Sequence, residues 1–203
     1  KNSFSQILVF DGNIATELYE RGFYINRPFE ELSLTAPSEV RQVHEDFLRA
    51  GCDVLTSNTF NANSYQLRVF DVEEKQEEIL KNSLKLCHEA CLATGRLVPV
   101  ALSLGPTGQL LEPLGPLAKE DVLRENEKLI RLAEKNGHFD LIILDLFSNV
   151  SELECAVEGV RRSNSQIPLL VSLSSRQDQE TLLKDFVETL GHRKDVDALG
   201  LNG

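Results

Sequence analysis

The chain has 203 residues, 41% hydrophobic and 26% charged, with a formal net charge of −11. That composition fits one ordinary globular domain, 1–203, rather than a disordered or fibrous chain, and its diffuse acidity argues against nucleic acid or an anionic membrane as a partner. No apolar run approaches the ~20 residues of a membrane span, and four cysteines without close pairing suit a reducing compartment, so the expected location is cytoplasmic.

In chain order, the first element is the apolar run at 7–10, "ILVF", which ends in Asp11-Gly12 before a helical pattern. The stretch "APSEVRQVHEDFLRAG" then predicts a helix capped by Ser38, with Val40, Val43, Phe47 and Ala50 on one face and Gly51 as its stop. A second strand is expected within 52–60. After it, Leu80, Leu84, Cys87 and Cys91 form a helical stripe ending at Gly95. Strands at 98–105, 140–147, 168–174 and 197–203 follow, separated by three more helical patterns. One of these aligns Val122, Leu129 and Ala133 and ends at Gly137. Near-continuous Val, Ile and Leu in the strands predicts a parallel sheet covered on both faces.

The strand ends decide between an open sheet and a barrel. Asp11, then Thr56, Ser57 and Asn58, Ser103, Asp145, Ser172 and Ser174, and Asn202 all stand at carboxyl ends of predicted strands. An open sheet concentrates its functional tips beside one switch point, whereas a barrel gathers every tip at one mouth. The uniform polarity predicts an α/β fold of the (β/α)8 TIM-barrel type. Six βα units in 203 residues then imply a barrel shown incompletely, two units short of the usual eight.

Several motifs have plain structural readings. "GPTG" at 105–108 lacks the remaining features of a phosphate loop and is a turn after a strand. Cys87 and Cys91 continue the apolar stripe and behave as small hydrophobes, and Cys52 and Cys155 sit in similar contexts. His44 borders the buried face of its helix as a structural histidine. Asn149-Val150-Ser151 opens a helix, with Ser151 read as its cap.

Asp11 and Asp145 stand apart, because each follows a run of large apolar residues where an unpaired charge is costly. Two readings stay open. Each carboxylate caps local backbone amides, or the two acids share one mouth and hold a cationic group such as a substrate ammonium. In the second reading, amides after Gly12 receive an anion at the start of the next helix, and an amino acid is clamped between them.

"LVFDGNIATELYERG", "EVRQVHEDFLRAGCDVLTSNTFNAN", "LSLGPTG", "FDLIILDLFSNVSELECAV" and "DALGLNG" together resemble the homocysteine S-methyltransferase family. "GPTGQLLEPLG" is most similar to its methionine synthase branch. The resemblance implies a (β/α)8 barrel that transfers a methyl group to the thiol of homocysteine, giving methionine. It implies substrate contacts from Asp11, the turn at Gly12, Asn13 and Ile14, Thr16, Asn58, Asp145 (where the family usually has Glu) and Asn202.

The resemblance also implies Zn2+ on three cysteines. This chain reads Gly200-Leu201-Asn202-Gly203, with Gly203 where the family has its first zinc cysteine, so no metal ligand is visible and no catalytic residue is identified. The implied methyl donor is methylcobalamin charged from methyltetrahydrofolate, and the implied partner is a cobalamin- or folate-binding domain or subunit. The alternative is a catalytically silent relative that binds an amino-acid-like ligand or serves in an assembly.

Overall fold

The computed structural model describes residues 7–24, 26–163, 165–174 and 180–202. Its strands are β1 (Leu55–Thr56), β2 (Val100–Leu104), β3 (Leu141–Phe147), β4 (Leu169–Ser174) and β5 (Ala198–Asn202). They form one parallel sheet in the order β1-β2-β3-β4-β5. The expected first strand is reduced to a single parallel bridge, Phe10 to Val54, which places residues 7–10 beside β1. Between the strands run α1 (Ile14–Glu20), α2 (Leu32–Thr35), α3 (Pro37–Ala50), α4 (Ser64–Arg68), α5 (Gln76–Thr94), α6 (Lys119–Asn136), α7 (Val150–Arg162) and α8 (Glu180–Leu190).

Helix ends follow local chemistry, with two corrections to the sequence expectations. Ser38 does not cap α3: Pro37 occupies the first turn after Ala36, with no side-chain cap. Proline suits that position because it needs no hydrogen-bond acceptor there. Asn149, not Ser151, caps α7 by accepting the Glu152 N–H. Gly51 and Gly95 end α3 and α5 in the left-handed conformation, as expected.

Side chains alternate across the sheet. Leu55, Val100, Leu102, Ile142, Leu144, Leu169 and Val171 face the helices in the main apolar core, joined there by Cys87 and Cys91. Val54, Ala101 and Ile143 face the other way and pack with Phe10, Leu141 and Leu170 in a separate small cluster. Along that inner face the residues turn polar toward the carboxyl ends: Thr56, Ser103, Asp145 and Ser172.

The amino ends carry a repeated clamp. Asp53, Asp140 and Asp197 each precede a strand, and each Oδ2 accepts the backbone N–H of the neighbouring strand, from Val9, Val100 and Leu169, at 2.8–2.9 Å. The backbone N–H of each aspartate donates to the carbonyl of the same neighbour. Three identical double contacts set the register away from the site, where barrel residues serve stability.

All six strand tips, including the Phe10 segment, border one cavity. Six strands at about 4.8 Å spacing would spread over more than 20 Å if flat, so a shared cavity requires a curled wall. Among the described residues no ladder joins β5 to residues 7–10, and the wall has open edges where Ile7 and Leu201 are exposed.

Candidate functional site

The cavity at the carboxyl ends has a volume of about 810 Å³, within the range of small-molecule sites. Of the residues expected from sequence, Asp11, Gly12, Asn13, Ile14, Asn58, Asp145 and Asn202 line it. Thr16 does not. It is exposed in the first turn of α1, where its backbone N–H donates to the Asn13 capping oxygen at 3.0 Å. Gly203 lies outside the described residues.

Asp11 is half-buried and tied to β1. Its Oδ2 accepts the Thr56 N–H at 2.8 Å and its Oδ1 accepts the Thr56 hydroxyl at 2.9 Å. Burial nevertheless dominates and pushes its pKa up to about 6, against the lowering effect of those bonds. The capping and ligand-holding readings are compatible, since each carboxylate oxygen has a second lone pair. Gly12 lies directly beneath the Phe47 ring, and a Cβ there would sit 2.7 Å from Phe47 Cε1.

Asp145 sits at a register shift in β3, and the next residue, Leu146, has a left-handed φ of +57°. Such a conformation is costly for leucine, so the surrounding contacts must impose it. They include the Leu146 N–H, which donates to Asp145 Oδ1 at 2.9 Å and to Ser172 Oγ at 3.1 Å. The Ser172 hydroxyl donates back to Asp145 Oδ1. The shift thus turns the acid toward the cavity and leaves Oδ2 without a contact from this group.

Asn58 is buried, and its Nδ2 donates to the Phe29 carbonyl at 2.8 Å and to Ser33 Oγ at 3.2 Å. That ties the second strand tip to the segment covering the mouth. The "GPTG" loop does not line the cavity. It braces the wall instead: Glu152 accepts the Thr107 N–H at 2.8 Å and its hydroxyl at 2.6 Å, while Gly105 packs against Phe60. A Cβ at Gly105 would lie 2.6–2.9 Å from three Phe60 ring atoms. Gly105→Ala is therefore expected to cost about 1–3 kcal/mol in urea unfolding, through forced displacement of the ring.

Sequence reasoning missed the covering segment. Arg27, Pro28, Phe29 and Glu30 line the cavity, together with Phe60, Asn61, Gln66 and Phe70. Glu30 is fully buried. Its Oε1 accepts the Asn61 N–H at 2.8 Å, Oε2 has no partner, and burial raises its pKa. The neighbouring Glu31 instead takes both local cations, Lys75 at 2.9 Å and Arg27 at 3.9 Å.

His44 is buried away from the cavity, with Nε2 3.6 Å from Cys87 Sγ and Nδ1 unpartnered. Burial lowers its pKa to about 4, keeping the ring neutral. All four cysteines are buried and free, and burial raises the pKa of Cys52, Cys87 and Cys155. Among the described residues, no three His, Cys, Asp or Glu side chains group to hold a metal ion. No helix among them is long and apolar enough to cross a membrane.

A family profile described as homocysteine S-methyltransferase matches residues 8–203. Homocysteine S-methyltransferase 2 of Zea mays is 28% identical over 83% of this chain and 56% of its own length. Selenocysteine Se-methyltransferase of Brassica oleracea var. italica is 24% identical over 89% and 59%. The chain thus spans less than two thirds of these curated relatives. Among solved structures, the homocysteine methyltransferase MmuM from Escherichia coli aligns in its apo form with 26% identity and a TM-score of 0.74. That alignment covers 98% of this chain and 73% of the other. The metallated form gives a TM-score of 0.80 at 23% identity, covering 98% and 75%, and shows the shared barrel-type fold.

Proposed function

Because the chain belongs to the homocysteine S-methyltransferase family, we propose that its cavity holds homocysteine for methylation at sulfur, giving methionine. The observation that carries this reading is that two acids from distant strands, Asp11 and Asp145, line one cavity in the small-molecule range. In the proposed pose the substrate ammonium lies between these carboxylates. The substrate carboxylate faces the turn at Gly12, Asn13 and Ile14, where the first N–H groups of α1 have no intrahelical acceptor. Asn58 and Asn202 complete the polar wall, while Thr16 supports the turn through its bond to Asn13. In the reaction the sulfur loses its proton and gains the methyl carbon as the donor's bond to that carbon breaks.

The zinc implied by the family resemblance finds no fitting ligand set among the described residues, since no three His, Cys, Asp or Glu side chains group there and burial keeps the Cys52, Cys87 and Cys155 thiols protonated. The chemistry assigned to this chain's own residues is accordingly to bind and orient the amino acid. The resemblance of the "GPTG" loop supports methylcobalamin charged from methyltetrahydrofolate as the donor, presented by a cobalamin- or folate-binding domain or subunit. Four unpaired cysteines support a cytoplasmic setting.

Full-length protein assayed for zinc content and for methyl transfer to L-homocysteine tests the reading. Formation of methionine is expected, and any stoichiometric zinc must then be held by residues other than those described. Absence of both would leave a silent amino-acid-binding relative.

A further inference from the structure

The two acids at the cavity are held in the same way. Asp11 accepts a backbone N–H and a hydroxyl from Thr56, on two different oxygens. Asp145 accepts the backbone N–H of Leu146 and the hydroxyl of Ser172. In the second case the Ser172 oxygen also accepts the Leu146 N–H, which directs its own proton to the carboxylate. Each hydroxyl comes from the next strand of the wall. Thr56 on β1 lies beside residues 7–10, and Ser172 on β4 lies beside β3. Both also line the cavity.

A carboxylate at a strand tip is free to turn about its side-chain bonds, and fixing it after a ligand arrives costs conformational entropy. Thr56 removes that freedom in advance by holding both oxygens of Asp11. Ser172 and Leu146 hold one oxygen of Asp145 and leave the other available. At Asp11 the Thr56 donors also lower the pKa against the burial that raises it.

We propose that Thr56 and Ser172 are positioning residues of the amino-acid site, each orienting the carboxylate of the preceding strand for a ligand ammonium. This rests on the reading that the cavity takes an amino acid. Among the described residues packed about Asp11, no cation competes for it. Cys52 and Cys87 are thiols that burial keeps protonated, and His44 behind Cys87 is neutral. Asp53 is bound to the Val9 N–H, and Arg96 to the carbonyls of Leu48 and Cys52. Across the cavity stand Asp145 and Glu30, with Arg27 drawn toward Glu31.

Thr56→Val keeps the backbone donor and the side-chain shape but removes the hydroxyl, while Thr56→Ser restores it. In the ligand-free full chain, carbon-13 NMR of the Asp11 carboxyl should show its titration midpoint rising from about 6 by about one pH unit in Thr56→Val and returning in Thr56→Ser. Calorimetry with L-homocysteine and with L-methionine should show 5- to 20-fold weaker binding at pH 6.5 (about 1–2 kcal/mol) and a smaller loss at pH 8.5. Ser172→Ala should weaken binding similarly without moving the Asp11 midpoint, and it carries the test if Thr56→Val fails to fold. An unchanged midpoint and unchanged affinity in a folded variant would overturn the proposal. Should wild type bind neither amino acid while the midpoint still moves, the positioning role stands and the amino-acid reading falls.

Discussion

Asp11→Asn is expected to make the protein more stable and a poorer binder of amino acids. An asparagine fits the same contacts, with its carbonyl accepting the Thr56 N–H and its amide donating to the Thr56 hydroxyl in place of the present bonds. What disappears is the charge. Burial raises the Asp11 pKa from 3.8 to about 6, so the folded state holds its proton more tightly than the unfolded chain. Stability from this group is full below pH 3.8 and falls as pH rises to about 6, by about 3 kcal/mol at 1.36 kcal/mol per pH unit. At pH 7.5 the substitution should recover up to that amount in urea unfolding. The loss of a charge-assisted bond to the ligand ammonium should weaken L-homocysteine binding by about 1–3 kcal/mol, roughly 5- to 150-fold. A less stable variant with unchanged affinity would show that Asp11 serves Thr56 alone.

The proposed ligand role would account for an acid held at such a cost, since sites often trade stability for function. The acid was visible in the sequence because a carboxylate directly after "ILVF" needs a partner, whether local backbone amides or a ligand. The same contrast exposed Asp145, and the polar residues at the carboxyl ends of otherwise apolar strands foretold the mouth. Helices were legible where an apolar stripe met a glycine stop, as in α5 with Leu80, Leu84, Cys87 and Cys91 before Gly95. Their starts were less so, because serine, asparagine and proline all suit a first turn and only geometry selects among Ser38, Pro37, Asn149 and Ser151.

Other features depend on contacts between distant segments. β1 is only two residues long: the Ser57 N–H still reaches the Ala101 carbonyl, but there the Ser57 hydroxyl bonds Thr59 and Thr59 bonds the Ser103 carbonyl, which draws the chain off the sheet. Asp53, Asp140 and Asp197 look like ordinary turn residues until the neighbouring strand supplies the N–H each one holds. Thr16 faces outward because Asn13 starts α1 and fixes its phase. Glu30 and Glu31 look alike in "PFEEL", yet one meets two cations and the other none. Charge patterns along one segment cannot anticipate which partner arrives from Asn61 or Lys75.

That asymmetry makes Glu30→Gln the second large effect. Glutamine can keep the Asn61 N–H on its carbonyl, as Glu30 Oε1 does now, while an ionised Glu30 leaves a charged oxygen buried without a partner. Burial raises the folded pKa of Glu30, so its contribution is most favourable below the unfolded carboxylate range and declines as pH rises. Glu30→Gln should therefore gain about 1–3 kcal/mol over wild type at pH 8, and the gain should vanish near pH 4. His44 slopes the other way. Its folded pKa of about 4 lies below the ordinary 6.5, so its contribution is full above pH 6.5 and is lost as pH falls toward 4, by about 3 kcal/mol. Between pH 4 and 6.5 the buried acids and this histidine oppose one another, giving wild type a shallow stability profile. Removing the Glu30 charge leaves fewer terms that reward acid, so the variant's stability should decline more steeply as pH falls. Parallel urea-unfolding curves for the two proteins at every pH would show that Glu30 stays protonated throughout, or finds a counter-charge from Arg27.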